Sequence, residues 1–406
     1  MRLLGLIEEK NKELQMVEEN GRVFVSEQTD RFDSYQFIKQ RNKPIGKGID
    51  VHTSEGLFKF RYGPVTAGIM EAGVFNLYTY GERIVAIEID TTYKHRGIES
   101  LMLGNTPQEA IELAESVCSN FAFSHSLAFS LAVENVMGLT VSSSTKKLRM
   151  VLLELERIYN HILVMANLAR AAAQNVLSSH LEWMFEESLR INELLTSSRF
   201  LQGANGIGKI RINTQNLETL LKRLSHIKER FTETYEHALK SWNFIDRLYS
   251  TAILEREKAY CIGITGPTAK ASGIACDLRS HDNNYKEFHP ITETGSDALA
   301  RMEVRANEVL QSIDIITETV NNLDYNDRKG EPNIVADGKA CGACESPSGL
   351  LAYYLSMEKG RIVNAYISPP SLFGFKAFAE SIVGQIFTDF SFAYDSFGIN
   401  FADCAR

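Results

Sequence analysis

No stretch of this sequence runs for the roughly 18–20 uninterrupted apolar residues that a membrane-spanning helix needs. The best stretches, 127–141 and 162–173, are broken by Glu134 and Arg170. The opening apolar run from Leu3 to Ile7 is too short for a secretory signal, and Glu8 and Glu9 follow at once. Cysteine is scarce, six among 406 residues and mostly scattered, which excludes a disulfide scaffold and suits a reducing compartment. Low-complexity segments, internal repeats and Gly/Ser linkers are lacking, and so is a basic stripe. With 43 basic against 51 acidic residues the formal net charge is −8, so no nucleic-acid partner is expected. These absences predict a soluble chain that stays in the cytosol unless a partner brings it to a membrane.

What is present is apolar material for a sizeable core, 44% of residues, over a length typical of about two to three domains. Residues 1–50 read as polar and irregular with one β-like run at 22–26. We therefore divide the chain into a small N-terminal extension, 1–55, and a main domain, 56–406. Extended character begins at 57–62 and continues as a hairpin, 74–79 and 83–90, around the turn Tyr80-Gly81-Glu82. From Pro107 to Leu323 the period becomes helical. Ile111, Leu113, Val117, Phe121, Leu127, Leu131 and Val136 predict one long helix. Further helices are expected over 147–176, 180–201, 217–248 and 298–322. Residues 265–279, rich in Gly, Pro, Ser and Ala, read as an ordered loop. β character returns at 350–355 and 361–367, closed by Ser368-Pro369-Pro370, before a helix at 373–387. The fold class predicted is α+β, a mainly α-helical bundle core with small flanking β elements.

Several clusters carry polar chemistry. Cys118, Phe121 and His125 fall at i, i+3 and i+7 of the long helix and share a face; a buried cysteine beside a satisfied core histidine is the structural alternative to a site. Glu154, Arg157 and His161 stack in the same way on a strongly apolar helix, where charges are expected to pair across a bundle interface. Cys341-Gly-Ala-Cys344 is the one CxxC, read as a tight turn bearing two thiols, without the second pair a zinc site requires. Gly203-Ala-Asn-Gly-Ile-Gly208 follows a helix, which argues against a dinucleotide fingerprint. Lys270, Ser272, Asp277 and Arg279, with the Asp297/Arg301 pair, are candidates to converge on a cavity.

Taken in order, a longer set of motifs resembles a known family: the large subunit of membrane-bound, energy-converting [NiFe]-hydrogenases and the homologous quinone-site subunit of respiratory complex I. The matching text begins with Gly63-Pro-Val-Thr-Ala-Gly-Ile-Met-Glu71, Lys94-His-Arg-Gly-Ile-Glu99 and His125-Ser-Leu-Ala-Phe-Ser-Leu-Ala-Val-Glu134. It continues with Leu153-Glu-Leu-Glu-Arg-Ile-Tyr-Asn-His161, Asn205-Gly-Ile-Gly208 and Gly266-Pro-Thr-Ala-Lys-Ala-Ser-Gly273 with Asp277 and Arg279. Arg301-Met-Glu-Val-Arg305, Glu345-Ser-Pro-Ser-Gly349 and the last residue, Arg406, complete it. The resemblance implies a hydrogenase-large-subunit-like fold docked on an iron–sulfur small subunit. It also implies a complex I-like peripheral subunit, antiporter-like membrane subunits and a place on the cytoplasmic face of the cell membrane.

The departures from the family pattern shape the functional expectation. Its hydrogenases hold nickel and iron with two CxxC pairs, because such a centre needs soft thiolates. Matching those pairs places Cys118, Phe121, Asn400 and Asp403 at the ligand positions, with Cys404 out of register. No metal is then expected, apart from magnesium at Glu71 as a minor possibility, and any cluster belongs to the partner. The complex I branch is also departed from: residues 66–72 hold no histidine, and Pro107 falls where that branch has its tyrosine. Ser348 stands where the family has a basic residue. The expectation is a complex I-like oxidoreductase subunit with a quinone-like redox pocket, with a catalytically silent scaffold as the alternative and a true hydrogenase third. By position the resemblance implies Cys118, His125 and Asp403 as candidate catalytic groups and Glu71, His95, Arg96, Asp277, Arg279 and Arg406 as pocket lining.

Overall fold

A computed structural model describes residues 1–10, 12–27, 32–40, 43–53, 55–66, 69, 71–323 and 337–406. The chain opens with strands β1 (Arg2–Glu9), β2 (Lys12–Glu19) and β3 (Arg22–Ser26), an antiparallel meander in that order. This corrects the reading of an irregular start. Leu4, Ile7, Leu14 and Met16 share one buried core, and the register shift between Leu3 and Gly5 breaks the period-two pattern that would have marked β1 in sequence. Helix α1 (Tyr35–Lys39) leads to a four-stranded antiparallel sheet. Its members are β4 (Ile45–Gly46), β5 (Leu57–Tyr62), β6 (Val74–Tyr80) and β7 (Arg83–Asp90), ordered β4-β7-β6-β5. The expected hairpin is β6–β7, with Val74 opposite Asp90 and Tyr80 opposite Arg83.

The helical part begins with α2 (Ile98–Met102) and α3 (Pro107–Glu115), and α4 (Ala122–Met137) follows. The predicted single long helix is thus two, bent by 116° around residues 116–121. Carbonyls that would continue the helix are bonded to side chains instead. Arg96 donates to Ser116 O and Val117 O, while Tyr159 and Asn160 donate to Asn120 O. Helices α5 (Ser143–Ala171) and α6 (Asn175–Thr196) come next, then the short pair β8 (Asn205–Gly206) and β9 (Lys209–Ile210). The helix expected over 217–248 breaks at Ser241 into α7 (Leu217–Lys240) and α8 (Trp242–Leu248). Helix α9 (Arg256–Ile262) precedes α10 (Gly266–Ala271), which lies inside the segment read as loop, and α11 (Ala298–Asn321) closes the bundle.

The C-terminal sheet is β10 (Gly338–Ser346), β11 (Gly349–Glu358) and β12 (Arg361–Ser368), antiparallel in sequence order. Cys341-Gly-Ala-Cys344 is part of β10, not a turn. Its thiols point to opposite faces, Cys344 into the helical core and Cys341 toward the core shared with β1 and β2. Gly342 is required: a Cβ there would stand 2.2 Å from Ala132 N and 2.4 Å from Ala128 O of α4. Ser368-Pro-Pro370 starts rather than closes an element, since Pro370 opens α12 (Pro370–Ser381); α13 (Phe390–Phe397) and α14 (Phe401–Ala405) end the chain. The architecture is α+β. The largest core joins α4, α5, α6, α7 and α11 to the inner face of the C-terminal sheet. A second, aromatic core around Phe75, Phe378, Phe390 and Phe401 binds β6 to the last three helices.

Candidate active site

The break between α3 and α4 and the chain's tail meet at a cavity of about 560 Å³. Cys118 and Asn120 come from the break, Glu71 from the segment before β6, Lys94 and Arg96 from the loop before α2, and Asn400 from the tail. Ser348, from the β10–β11 turn, lines it too, and its hydroxyl donates to Gly398 O at 2.7 Å. Asn120 Nδ2 donates to Asn400 Oδ1 at 3.2 Å, tying the two halves of the wall. Cys118 is 4% exposed, and burial, with the nearby charges of Asp403 and Glu71, pushes its thiol well above the ordinary value.

Three carboxyls line the same space. Both oxygens of Glu71 are engaged by the amides of Phe401 and Ala402 at the start of α14, and burial raises its pKa. Glu115 accepts from Gly203 N at 2.8 and 2.9 Å and is pushed by burial to about 7. Asp395 is likewise pushed to about 7 by burial. Behind the wall, Glu156 accepts from Phe123 N and Ser124 N, capping the start of α4, and burial pushes it to about 8.

His125 and Asp403 lie wholly buried behind Cys118 and form a chain with a residue the sequence did not single out. His125 Nε2 is 3.0 Å from Asp403 Oδ1, and Nδ1 is 2.8 Å from the hydroxyl of Tyr353 on β11. Ser371 N donates to Asp403 Oδ2 at 3.1 Å. With Asp403 accepting on both oxygens, the network assigns the imidazole proton to Nε2 and the Tyr353 hydroxyl as donor to Nδ1. Tyr353 was hidden in the apolar run of β11; Glu115 and Asp395 had no motif around them.

The other expected lining residues have different roles. Asp277 and Arg279 do not border the cavity; they belong to a buried ionic cluster. Arg279 bridges Asp277, at 2.7 Å, to Glu154, at 3.1 Å, and Lys270 bridges Asp277, at 2.8 Å, to Glu308. Glu154 also binds Arg157 at 3.0 Å, and Glu308 accepts from His161 at 2.7 Å. Desolvation penalises every charge in this cluster, and the mutual ion pairs and hydrogen bonds offset that penalty. The expected pairing of Glu154, Arg157 and His161 across the bundle is this cluster. Arg301 is packed against Ser396 and three carbonyls, with Asp297 capping α11. His95 and Arg406 clasp the chain's end: His95 Nδ1 is 2.8 Å from Ala405 O, Arg96 N and Gly97 N donate to Arg406 O, and Arg406 Nη1 donates to Cys404 O.

Of the four positions matched to nickel–iron ligands, Cys118 and Asn400 line the cavity, Phe121 is buried apolar packing and Asp403 is engaged by His125. A single thiol beside a phenyl ring, an amide and a carboxyl bonded to His125 does not fit a centre held by four thiolates. Among the described residues no cluster of three or more His, Cys, Asp or Glu is placed to hold a metal ion. Positions 67, 68 and 70 of the hairpin stretch lie outside the described residues. No single helix among the described residues is long and apolar enough to cross a membrane.

Comparison with known proteins supplies a lineage. The family of the respiratory-chain NADH dehydrogenase 49 kDa subunit matches residues 179–334, and nickel-dependent hydrogenase matches residues 96–172. The membrane-bound hydrogenase subunit alpha of Pyrococcus furiosus is 27% identical over 326 residues, 75% of this chain and 76% of that one. An NADH-quinone oxidoreductase subunit of Akkermansia muciniphila is 26% identical over 412 residues, 91% of this chain and 96% of that one. Formate hydrogenlyase subunit 5 of Escherichia coli is 31% identical across 64% of this chain, which spans about half (47%) of that relative's length. A chain in the structure of the membrane-bound sulfane sulfur reductase, an archaeal respiratory membrane complex, shares the fold with a TM-score of 0.80. It is 20% identical, over 87% of this chain and 100% of that one.

Proposed function

The chain belongs to the lineage of large subunits shared by membrane-bound hydrogenases and NADH-quinone oxidoreductases, and from that premise we propose that it forms the redox pocket of a membrane-associated complex that couples electron transfer to ion translocation. Electrons arrive from an iron–sulfur cluster in a small partner subunit, since this chain's thiols are dispersed among separate cores. A complex I-like peripheral subunit and antiporter-like membrane subunits complete the assembly on the cytoplasmic face of the membrane. In this reading the chain has no nickel–iron ligands, which the donor set at Cys118, Phe121, Asn400 and Asp403 supports.

The observation that carries the reading is the pairing of a cavity with acids poised near neutrality. Glu115 and Asp395, each pushed to about 7, suit proton exchange with a bound substrate as it is reduced. His125 and Asp403 sit one layer behind and position the tail that carries Asn400. A change of charge there biases α12 through the Ser371 amide, giving a local event a path to a neighbouring subunit.

The test uses the intact complex with reduced ferredoxin and with a quinol as electron donors, together with elemental analysis for nickel. Turnover without stoichiometric nickel is expected; stoichiometric nickel with hydrogen evolution would overturn the reading. A silent scaffold is favoured by one observation: Glu71 and Glu115 each serve as backbone caps. That alternative requires turnover to survive His125→Gln and Asp403→Asn in assembled complex, whereas the redox reading requires its loss.

A further inference from the structure

Arg305 is a buried cation with no anion beside it. Its side chain is 1% exposed, stands on α11 and lines the cavity. Nη2 donates to Phe397 O at 2.7 Å and Nη1 donates to His161 Nδ1 at 3.3 Å, while the buried Nε has no partner. Burial drives His161 down to about 3, so it is neutral, and its other nitrogen donates to Glu308. Glu308 is itself shared with Lys270 and Arg279. Elsewhere in the core, Arg149 has Glu134, Arg157 has Glu154 and Arg279 has Asp277. Arg301 also makes no ion pair among the described residues, but four oxygens surround it. An isolated charge taken out of water is heavily penalised unless something compensates it.

Two further cations line the cavity. Arg96 gives its guanidinium to the carbonyls of Ser116 and Val117, and Lys94 makes no direct ion pair among the described residues, though it lies within electrostatic reach of Glu71. Facing these cations are the thiol of Cys118, Glu115 and Asp395, the two carboxyls pushed by burial to about 7, and Glu71, whose two oxygens are taken by the amides of Phe401 and Ala402. Gly398 also keeps the guanidinium clear, since a Cβ there would come to 2.6 Å of Arg305 Nη2. Leu163, Val164 and Ile399 supply an apolar wall.

We propose that this cavity binds a small organic anion, with its carboxylate or other oxyanionic head on Arg305 and its body against the apolar wall. The inference rests on the redox-pocket reading for its biological meaning and names the charge class of the substrate; it is measured without turnover. The intact complex is titrated calorimetrically with benzoate and with benzamide, alike in shape and different in charge. At pH 6.5 benzoate is expected to bind about tenfold tighter or more, a preference typical of one charge-assisted contact. That preference shrinks by pH 8, as Glu115 and Asp395 ionise. Arg305→Gln abolishes it and Arg305→Lys keeps part of it. Equal affinities, no binding of either probe, or an undiminished preference in assembled Arg305→Gln complex would overturn the proposal. If Arg305→Gln does not assemble, the wild-type ratio and its pH course decide the question. Turnover with no benzoate preference would sink the anion site and leave the redox pocket standing; the reverse outcome would do the opposite.

Discussion

Tyr353, His125 and Asp403 form an enclosed chain in which each group has one job: donate, relay, accept. Removing a member orphans its neighbour in a place water does not reach. Tyr353→Phe leaves one buried acceptor, His125 Nδ1, unpaired and should cost about 1–3 kcal/mol, whereas His125→Leu strands two groups, Tyr353 and Asp403, and should cost roughly twice as much. Thermal unfolding of the purified protein measures both, and equal losses for the two variants would contradict the chain. The carboxyls set the response to pH. Glu115, Glu345 and Asp395 titrate near 7 and Glu156 near 8 when folded, all raised chiefly by burial. In the unfolded chain they release their protons near pH 4. Between those limits the folded state binds more protons, so stability falls as pH rises from about 5 to about 8. Asp277 and Glu308 act oppositely. Despite burial, Arg279 and Lys270 hold Asp277 low, and Lys270 with the His161 hydrogen bond holds Glu308 low, so their contribution disappears as pH drops below about 4. The melting temperature should therefore peak near pH 5, and a steady climb to pH 8 would contradict the assignment.

At the scale of elements, β10 lies against α4 with no room for a side chain at Gly342. Gly342→Ala forces backbone apart from backbone and should cost about 1–3 kcal/mol or more, as overpacked cores do; a variant melting like the parent would show that the strand stands off from the helix. The two cysteines flanking Gly342 face different cores, so their individual replacement by alanine is expected to leave redox behaviour unchanged. Elements with a strong local period were legible in the sequence: the β6–β7 hairpin, α5 and α11. The bend at residues 116–121 was not, because Val117 and Phe121 continue the apolar period and no Gly or Pro interrupts it. It is made by distant side chains, Arg96, Tyr159 and Asn160, that take the carbonyls a helix would use. The same limit applies to the site. Cys118, Glu71, Arg96 and Asn400 were legible through motifs and do meet at the cavity, whereas Arg305, present in a quoted motif, gains its character from a neutral histidine on another helix. Asp277 and Arg279 carried a pocket signature in sequence, and the fold used it for internal pairing.

At the scale of the whole molecule, sheet, bundle and tail converge on the cavity, and the N-terminal meander shares a core with Leu350, Tyr354 and Tyr366. Inside the bundle, Lys270, Arg279, Arg157 and Glu308 are at most 2% exposed, and Glu154 and Asp277 at most 3%, so no mobile ion from solution approaches them. Their mutual attraction lies beyond the reach of Debye screening, which weakens exposed pairs such as Lys228–Asp314 over about 10 Å at 0.1 M. Raising potassium chloride from dilute buffer to about 0.5 M should then loosen contacts with partners while the melting temperature moves by no more than a few degrees, the exposed pairs being worth little each. A protein braced in this way keeps its shape in brine, and if it sits in the proposed assembly, dissociation at high ionic strength would release it intact.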